Sequence, residues 1–595
     1  MTSETERDLR ARAERFMADD VDPKTQEELR ALLANADLAK TDLADRFAGA
    51  LEFGTAGLRG VVGAGPNRMN RAVVLRTTHG LAKALLANGK DVRKRGVVIG
   101  FDGRHMSREF AEDTACVLAA HDIHAHVFDD FAPTPLTAFA VGALGAAAGV
   151  MVTASHNPRE YNGYKVYWEN AAQIIPPIDA LIAKEIEGAP AAREVPRMPI
   201  DRARAEKLVT SVAPGVTTSY LDRVHALTLH TPTPHGRTLP IVYTAMHGVG
   251  AKLARAAFDR DGFTQVAFVA EQEHPDPAFP TVAFPNPEEK GAMDLSFALA
   301  RKTGAELVVA NDPDADRLAV AVPSKESATG YVQLTGNQVG VLLGHYVLTE
   351  ARDKSADRCV LVSIVSSPLL GLIAGKLGVA YEETLTGFKW IANRAMDLER
   401  QTTNPKRFVF GYEEALGYTV GDVVRDKDGV SAAVVMAEMV AWLRDQKRTL
   451  LDELDAIHRK YGLFVSSQVN VTRPGASGVA EIRAIMAHLR ATSPRAFGPH
   501  EVAIVRDYDA QTATRLSDGQ LTKLVLPKSN VLAYELTSGS RIIARPSGTE
   551  PKIKFYFDVR AVVGEKESMK DAEARANATM SELSRLFVAA AQPAG

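Results

Sequence analysis

Residues 305–322 read AELVVANDPDADRLAVAV. Two apolar runs, ELVVA and LAVAV, enclose a polar stretch in which Asp312, Asp314 and Asp316 alternate. Short branched runs bounded by a polar cluster are strands, so the three acids sit in a loop that joins two strands. Carboxylates this close repel one another unless a cation joins them. Hard oxygen ligands favour Mg2+ or Ca2+. The run opens like an EF-hand loop, but Arg317 stands where that loop needs glycine and Pro323 where it needs a bidentate glutamate, so the EF-hand reading fails. The bland alternative is a solvated acidic turn, which has no need of three aspartates.

The same order of apolar strand and polar loop recurs outward from this stretch. GVVIGFDGR (96–104), GVMVTASHNP (149–158), LPIVYTAMHGVG (239–250), RCVLVSIVSS (358–367) and RFVFGYEEALGY (407–418) all show it. Helical patterns such as SREFAEDTACVLAAHD (107–122), AKLARAAFDRDG (251–262) and LLGLIAGKLG (369–378) lie between them. Strands alternating with helices predict an α/β class built from related units. Beyond residue 462 the pattern turns to alternating strands with two covering helices, which predicts an α+β segment on an antiparallel sheet. The expected segments are 1–50, a helical extension, then 51–210, 211–328, 329–462 and 463–595. Residues 187–201, EGAPAAREVPRMPID, lack periodicity and read as a linker.

Length and charge bound the function. A chain of 595 residues needs several cores. Hydrophobic residues at 46% and charged residues at 24% suit a soluble enzyme. Seventy basic against 73 acidic residues leave a net charge of -3, which gives no sign of a polyanion-binding face, so nucleic acid is not expected as a partner. Cys116 and Cys359 are far apart in apolar surroundings and are expected to be free buried thiols. The charged start is not a signal peptide. The Ala/Gly-rich run at 131–158 is broken by prolines and reads as a short helix then a strand, not a membrane span. A cytoplasmic protein with no membrane partner is expected.

Three further stretches carry chemistry. In ARPSGTEPKIK (544–554), Arg545 offers a bidentate fork, Ser547 and Thr549 offer hydroxyls, and Gly548 lets backbone N–H groups approach an anion. This is either a phosphate cradle or a Ser-Gly hairpin turn. FGTAGLRG (53–60) flanks Arg59 with glycines, and FGYEEALGY (410–418) holds Glu413 and Glu414 in a Gly-bounded loop. Paired acids suit sugar hydroxyls, although they are more often a solvated face.

Ser155, in TASHNP, then has three readings. It caps a turn, it is a hydrolase nucleophile, or it carries a phosphoryl group. For the hydrolase, the neighbouring His156 is expected to point away in an extended segment, and no G-x-S-x-G elbow is present. The third reading explains why a metal loop, an anion cradle and an exposed serine occur in one chain.

TASHNP followed by YNGYK, then DPDADR, GYEEALGY and RPSGTEPK, in this order, resembles the α-D-phosphohexomutase superfamily. FGTAGLRG, TGFKWIANR (386–394) and PDPAFPTVAFPNPEEKGAMDL (275–295) are most similar to its phosphoglucomutase/phosphomannomutase branch, in a phosphopentomutase-like subgroup. The resemblance implies an α/β, four-domain phosphohexomutase architecture, with three related α/β domains and a C-terminal α+β domain around a central cleft. Ser155 would be the phosphoserine, and with Asp312, Asp314 and Asp316 it would hold Mg2+. Arg59, Lys165 and His156 would serve catalysis, with Lys165 or Arg59 managing the hydroxyl proton. Arg317 would line the same site, and Lys389 would contact the sugar phosphate. Glu413 would bind sugar hydroxyls, and Arg545, Ser547, Gly548 and Thr549 would grip the phosphate that is not reacting.

The implied activity is a phosphosugar mutase. It would interconvert 1-phospho and 6-phospho hexoses, glucose or mannose, through a phosphoserine and a sugar 1,6-bisphosphate that acts as intermediate and activator. The alternatives are a phosphopentomutase and a sugar-1,6-bisphosphate synthase. Small phosphosugars are the expected partners. Ala415 replaces a serine common in the family, and Gly417 and Tyr418 stand where some members have a histidine. These departures leave the reaction intact and the sugar open.

Overall fold

The structure is a computed structural model that describes residues 3–34, 42–53, 57–473, 478–547 and 552–593. The chain divides into two compact units. One holds Met1–Leu334 with Gly387–Met396 and Ala415–Gln446, and the other holds Thr335–Thr386 with Asp397–Glu414 and Lys447–Gly595.

The first unit contains two sheets. One runs in the order Leu58–Val61, Tyr161–Trp168, Ala148–Val152, Val97–Phe101, Ala125–Val127, Val209–Ser211. The last four are parallel, and the first two add antiparallel at one edge. Strands Val97–Phe101 and Ala148–Val152 are buried along their whole length, which explains their unbroken apolar runs. The other sheet runs Tyr331–Gln333, Ala319–Pro323, Leu307–Ala310, Ile241–Thr244, Val266–Phe268. ELVVA and LAVAV therefore do pair, antiparallel, with Ala319 opposite Ala310.

Helices lie in the N-terminal segment. Helices Ser3–Asp19 and Pro23–Ala34 bury Leu9, Ala13 and Leu29 together with Phe47 and Ala64. The run at 131–158 becomes helix Thr134–Ala143 and strand Ala148–Val152. The linker expectation at 187–201 does not hold. That segment packs against the first sheet domain, with Val195 clustered with Leu75 and Val117. Proline had removed its periodicity without removing its apolar side chains. No helix among the described residues is long and apolar enough to cross a membrane. Both cysteines are free.

The second unit carries a parallel group of strands, Ala380–Thr384, Arg358–Ser363 and Arg407–Glu413. It also carries an antiparallel sheet in the order Leu463–Thr472, Lys552–Ala561, Arg541–Pro546, Leu532–Leu536, His500–Asp507, Thr512–Arg515, Leu521–Lys523. Helices Gly478–Thr492 and Met569–Ala590 bury Ile482, Leu489, Leu583 and Phe587 against it. Phe587 meets the rings of Phe497, Tyr534, Phe555 and Phe557 at centroid distances of 5.0, 5.8, 5.1 and 5.8 Å, mostly edge to face. This geometry adds to area burial. Strand Leu521–Lys523 is exposed throughout and forms the outer edge.

Candidate active site

The hairpin of strands Ala148–Val152 and Tyr161–Trp168 sets the serine in place. Met151 pairs with Lys165 and Val152 with Tyr164, so the loop between them carries Ser155 directly above the strand that carries Lys165. On the other side of that strand, Arg59 pairs with Gly163. Gly57, with φ +88°, itself lies close against that strand; a Cβ there would lie 2.5 Å from the Tyr164 carbonyl oxygen. FGTAGLRG thus needs its glycine for approach and its arginine for charge.

Ser155 is buried at 1% exposure with φ +52°, a left-handed conformation that side chains other than glycine rarely adopt. Its N–H donates to Thr153 Oγ1 at 2.8 Å. Its hydroxyl donates to Asp312 Oδ2 at 2.8 Å. His156 Nδ1 lies 3.2 Å from the same hydroxyl. The expectation that His156 points away is therefore wrong, because the left-handed residue turns the chain and the segment is not extended. Burial, then the cations Arg317 and Arg59, hold His156 well below its ordinary pKa, so the imidazole is neutral. Arg59 Nη1 donates to Asn157 Oδ1 at 2.9 Å.

The aspartate loop closes on itself. Ala315 N–H donates to the Asp312 carbonyl at 2.8 Å, and Arg317 N–H to Asp312 Oδ1 at 3.0 Å. A Cβ on Gly248, in the MHGVG loop, would lie 2.3 Å from Pro313 Cα, which explains the glycine there. Lys165 Nζ donates to Asp314 Oδ2 at 2.7 Å and to Asp316 Oδ2 at 2.8 Å. All three are at most 1% exposed. Burial alone would lower the lysine, but the two carboxylates outweigh it and raise its pKa. Burial likewise pushes Asp314 and Asp316 up, and the cations around them, Lys165 foremost, bring both below the usual carboxylate range. Asp312 goes the other way. Burial first, then repulsion from Asp314 and Asp316, push it well up.

The donor set fits a hard divalent cation. The three aspartates each offer an oxygen within 4.8 Å of the others. Asp314 Oδ1 and Asp316 Oδ1 are buried with no hydrogen-bond partner, an arrangement that costs free energy unless a cation takes them.

Sequence reasoning missed two residues of this centre. Lys427 Nζ lies 3.2 Å from Asp316 Oδ2. It comes from RDKDG (425–429), where each charge has its own task. Asp426 accepts from Tyr167 and Gln173 at 2.8 and 2.7 Å. Asp428 caps helix Gly429–Asp445 through the N–H groups of Val430 and Ser431. Charges alternating before an apolar helix were the available sign. Thr134 donates to Asp314 Oδ2 at 2.6 Å, and nothing in its sequence context pointed to that.

Arg59, Ser155, His156, Lys165, Asp312, Asp314, Asp316 and Arg317 thus belong to one centre in the first unit. Lys389, on helix Phe388–Glu399, sits beside Gly57, Gln173 and Asp179. Burial lowers its pKa and Asp179 opposes the shift. In the second unit, Glu413 ends strand Arg407–Glu413. Glu414 accepts from the hydroxyls of Ser363 and Ser366 at 3.2 and 3.3 Å. Arg545 Nη1 reaches Tyr556 Oη at 3.5 Å. That phenol is raised by burial first and then feels Glu414, Arg545 and Glu413, so both acids and the arginine lie around it. Ser547 N–H donates to the Lys552 carbonyl at 2.8 Å. Gly548 and Thr549 lie outside the described residues.

Residues 50–193, 218–325 and 335–461 match phosphoglucomutase/phosphomannomutase, alpha/beta/alpha domains I, II and III respectively. The chain belongs to the phosphoglucomutase/phosphomannomutase family. It is 38% identical over 564 residues to the phosphopentomutase of Homo sapiens, covering 91% of this chain and 89% of that one. It is 40% identical over 496 residues to a probable phosphomannomutase of Haemophilus influenzae, covering 83% and 93%. Among solved structures, the open form of the Paramecium phosphoglucomutase parafusin superposes with a TM-score of 0.67 at 18% identity, over 91% of this chain and 95% of that one. That likeness speaks for the phosphoglucomutase fold.

Proposed function

We propose that this enzyme is a phosphosugar mutase that works through a phosphorylated Ser155 on 1-phospho and 6-phospho hexoses, with small phosphosugars as its partners in the cytoplasm. The observation that supports this best is the direct hydrogen bond, 2.8 Å, from the Ser155 hydroxyl to Asp312 of the aspartate loop. A hydroxyl and a cation site so close suit phosphoryl transfer.

Asp312, Asp314 and Asp316, with the phosphoserine, would hold Mg2+, which neutralises charge on the transferring group. The first half-reaction breaks the Ser155 Oγ–P bond and forms a bond from phosphorus to a sugar hydroxyl oxygen. The sugar hydroxyl gives up its proton and the Ser155 oxygen gains one as it becomes a free hydroxyl, with the cationic Lys165 or Arg59 managing that exchange by hydrogen bonding. The sugar bisphosphate then presents its other phosphate, and the same steps run in reverse. Arg59 and Arg317 bring positive charge to the serine loop, and His156 meets the serine oxygen as a neutral imidazole. Glu413 takes sugar hydroxyls and Lys389 the sugar phosphate. Arg545, Ser547, Gly548 and Thr549 take the non-reacting phosphate. The centre is buried, which keeps water from the phosphoserine. The domain limits 51–210, 211–328, 329–462 and 463–595 go with this reading.

A phosphopentomutase is the second reading, favoured by the 38% identity to the human phosphopentomutase. Purified protein assayed with Mg2+, a trace of sugar bisphosphate and glucose 1-phosphate, mannose 1-phosphate or ribose 1-phosphate in parallel separates the two. Accumulation of bisphosphate from an added phosphoryl donor would mark a synthase instead. Release of inorganic phosphate without isomerised sugar would refute the mutase.

A further inference from the structure

The loop that holds Ser155 is gathered from beneath by one side chain that no motif singled out. Arg104 follows strand Val97–Phe101. Its Nη2 donates to the main-chain carbonyls of Ser155 and Asn157 at 2.7 and 2.5 Å. Its Nη1 donates to those of Pro158 and Tyr161 at 2.7 and 3.1 Å. One guanidinium therefore draws four carbonyls of residues 155–161 to itself. Its side chain is 1% exposed and that of Asp102 is 0% exposed; the carboxylate lies 3.4 Å from Nε. Asp102 is in turn fixed by Arg104 N–H at 3.0 Å and by the Ser107 hydroxyl at 2.6 Å. The guanidinium also lies 5.1 Å from the ring centroid of Phe279. Carboxylate, ring and carbonyls leave the fork a single orientation.

We propose that Arg104 is a positioning residue for phosphoryl transfer: it holds residues 155–161 in the closed turn that keeps Ser155 left-handed, so that the serine oxygen stays against Asp312. This rests on the mutase reading of the site. A buried arginine that only filled space would need partners anywhere, whereas the four acceptors here are three carbonyls of the serine loop and that of Tyr161, where the loop enters its strand. The planar fork is what spans them. A lysine ammonium keeps the charge and cannot bridge the same four oxygens.

The test uses the full chain with wild type, Ser155→Ala, Arg104→Lys and Asp102→Asn in one assay series. For Arg104→Lys we expect kcat to fall about a hundredfold, the loss that a displacement near 1 Å produces, with KM for the sugar phosphate unchanged. More inorganic phosphate should be released per mutase turnover, and amide exchange should speed up at residues 155–161 but not at 311–317. Unchanged kcat, or a fall in kcat matched by faster exchange throughout the first unit, would overturn the assignment. Should Arg104→Lys fail to fold, Asp102→Asn decides. It keeps the guanidinium but removes the anion that aims it, so the same split with a smaller loss supports the role, and native kcat refutes it. A wild type without mutase activity would count against the reading of the site, while exchange at 155–161 would still decide whether Arg104 holds the loop.

Discussion

Each unit buries a cluster of charge, and the two clusters are built differently. In the second unit, Arg541 donates to Glu383 at 2.9 Å, to Asp558 at 2.9 Å and to the Ser366 carbonyl. Asp558 also accepts from Ser466 at 2.6 Å, and Glu383 from Tyr381 at 3.1 Å. That cluster is closed, with acids and donors meeting inside it. In the first unit, Lys165 and Lys427 face Asp314 and Asp316, yet each aspartate keeps a buried oxygen with no partner. That cluster is open. A closed cluster serves the fold, and an open one holds room for a ligand, at a cost in stability that the fold must carry.

The sharpest challenge to this contrast is loss of the open cluster's hydroxyl. Ser155→Ala should abolish turnover and remove a single phosphate from the protein's intact mass. Near-native turnover would end the phosphoserine assignment. Next is the cation. EDTA or Asp314→Asn should also abolish turnover while circular dichroism and Tm stay close to native, because after Asp314→Asn Lys165 still holds Asp316 at 2.8 Å and the repulsion on Asp312 is relieved. Arg541→Met should do the reverse. Breaking a buried pair by removing one partner costs about 3–5 kcal/mol, read as a lower unfolding midpoint. If Asp314→Asn cost as much, the distinction between open and closed would fail.

A lone group sharpens the comparison further. His458, on helix Leu450–Tyr461, is buried, its Nδ1 has no partner, and burial lowers its pKa to about 4. Its folded pKa lies below the unfolded value of 6.5, so folding excludes a proton. Stability is complete above about pH 6.5 and falls as pH drops through about 4, by about 3 kcal/mol in all. The Tm of His458→Gln should fall less over that window than the wild type's; parallel curves would show that His458 does not titrate this way. The smallest effect concerns recognition. Charged hydrogen bonds are worth about 1.5–3 kcal/mol, so Arg545→Ala should raise KM at least about tenfold for hexose and pentose phosphates alike. Unchanged KM would remove the cradle role from that loop.

What could be read in the sequence follows from how each cluster is encoded. The aspartates stand side by side in one loop between two apolar strands, and the serine ends an apolar run. Local crowding of polar residues against branched runs exposes such sites, together with the strands that carry them. Lys427, Thr134 and Arg104 act on loops far away in the chain, and each looks locally like a helix flank or a turn. The direction of His156 is not legible in the sequence, because one left-handed residue reverses a side chain without leaving a mark in residue type. The packed segment around Val195 reads as a linker in the sequence because its burial follows no period. Register and backbone sign are tertiary facts, and the sequence pattern does not carry them.

The left-handed backbone at Ser155 has a consequence for evolution and engineering. A non-glycine residue there costs about 1–2 kcal/mol relative to glycine. Selection for thermal robustness alone would therefore drift toward glycine at 155 and discard the hydroxyl proposed to carry the phosphoryl group. Ser155→Gly should be the more thermostable of the inactive variants, above Ser155→Ala, even though glycine recovers more chain entropy on unfolding. On the phosphoserine reading, the position sets durability against turnover. A library screened only for heat resistance would tend to select dead protein at this residue.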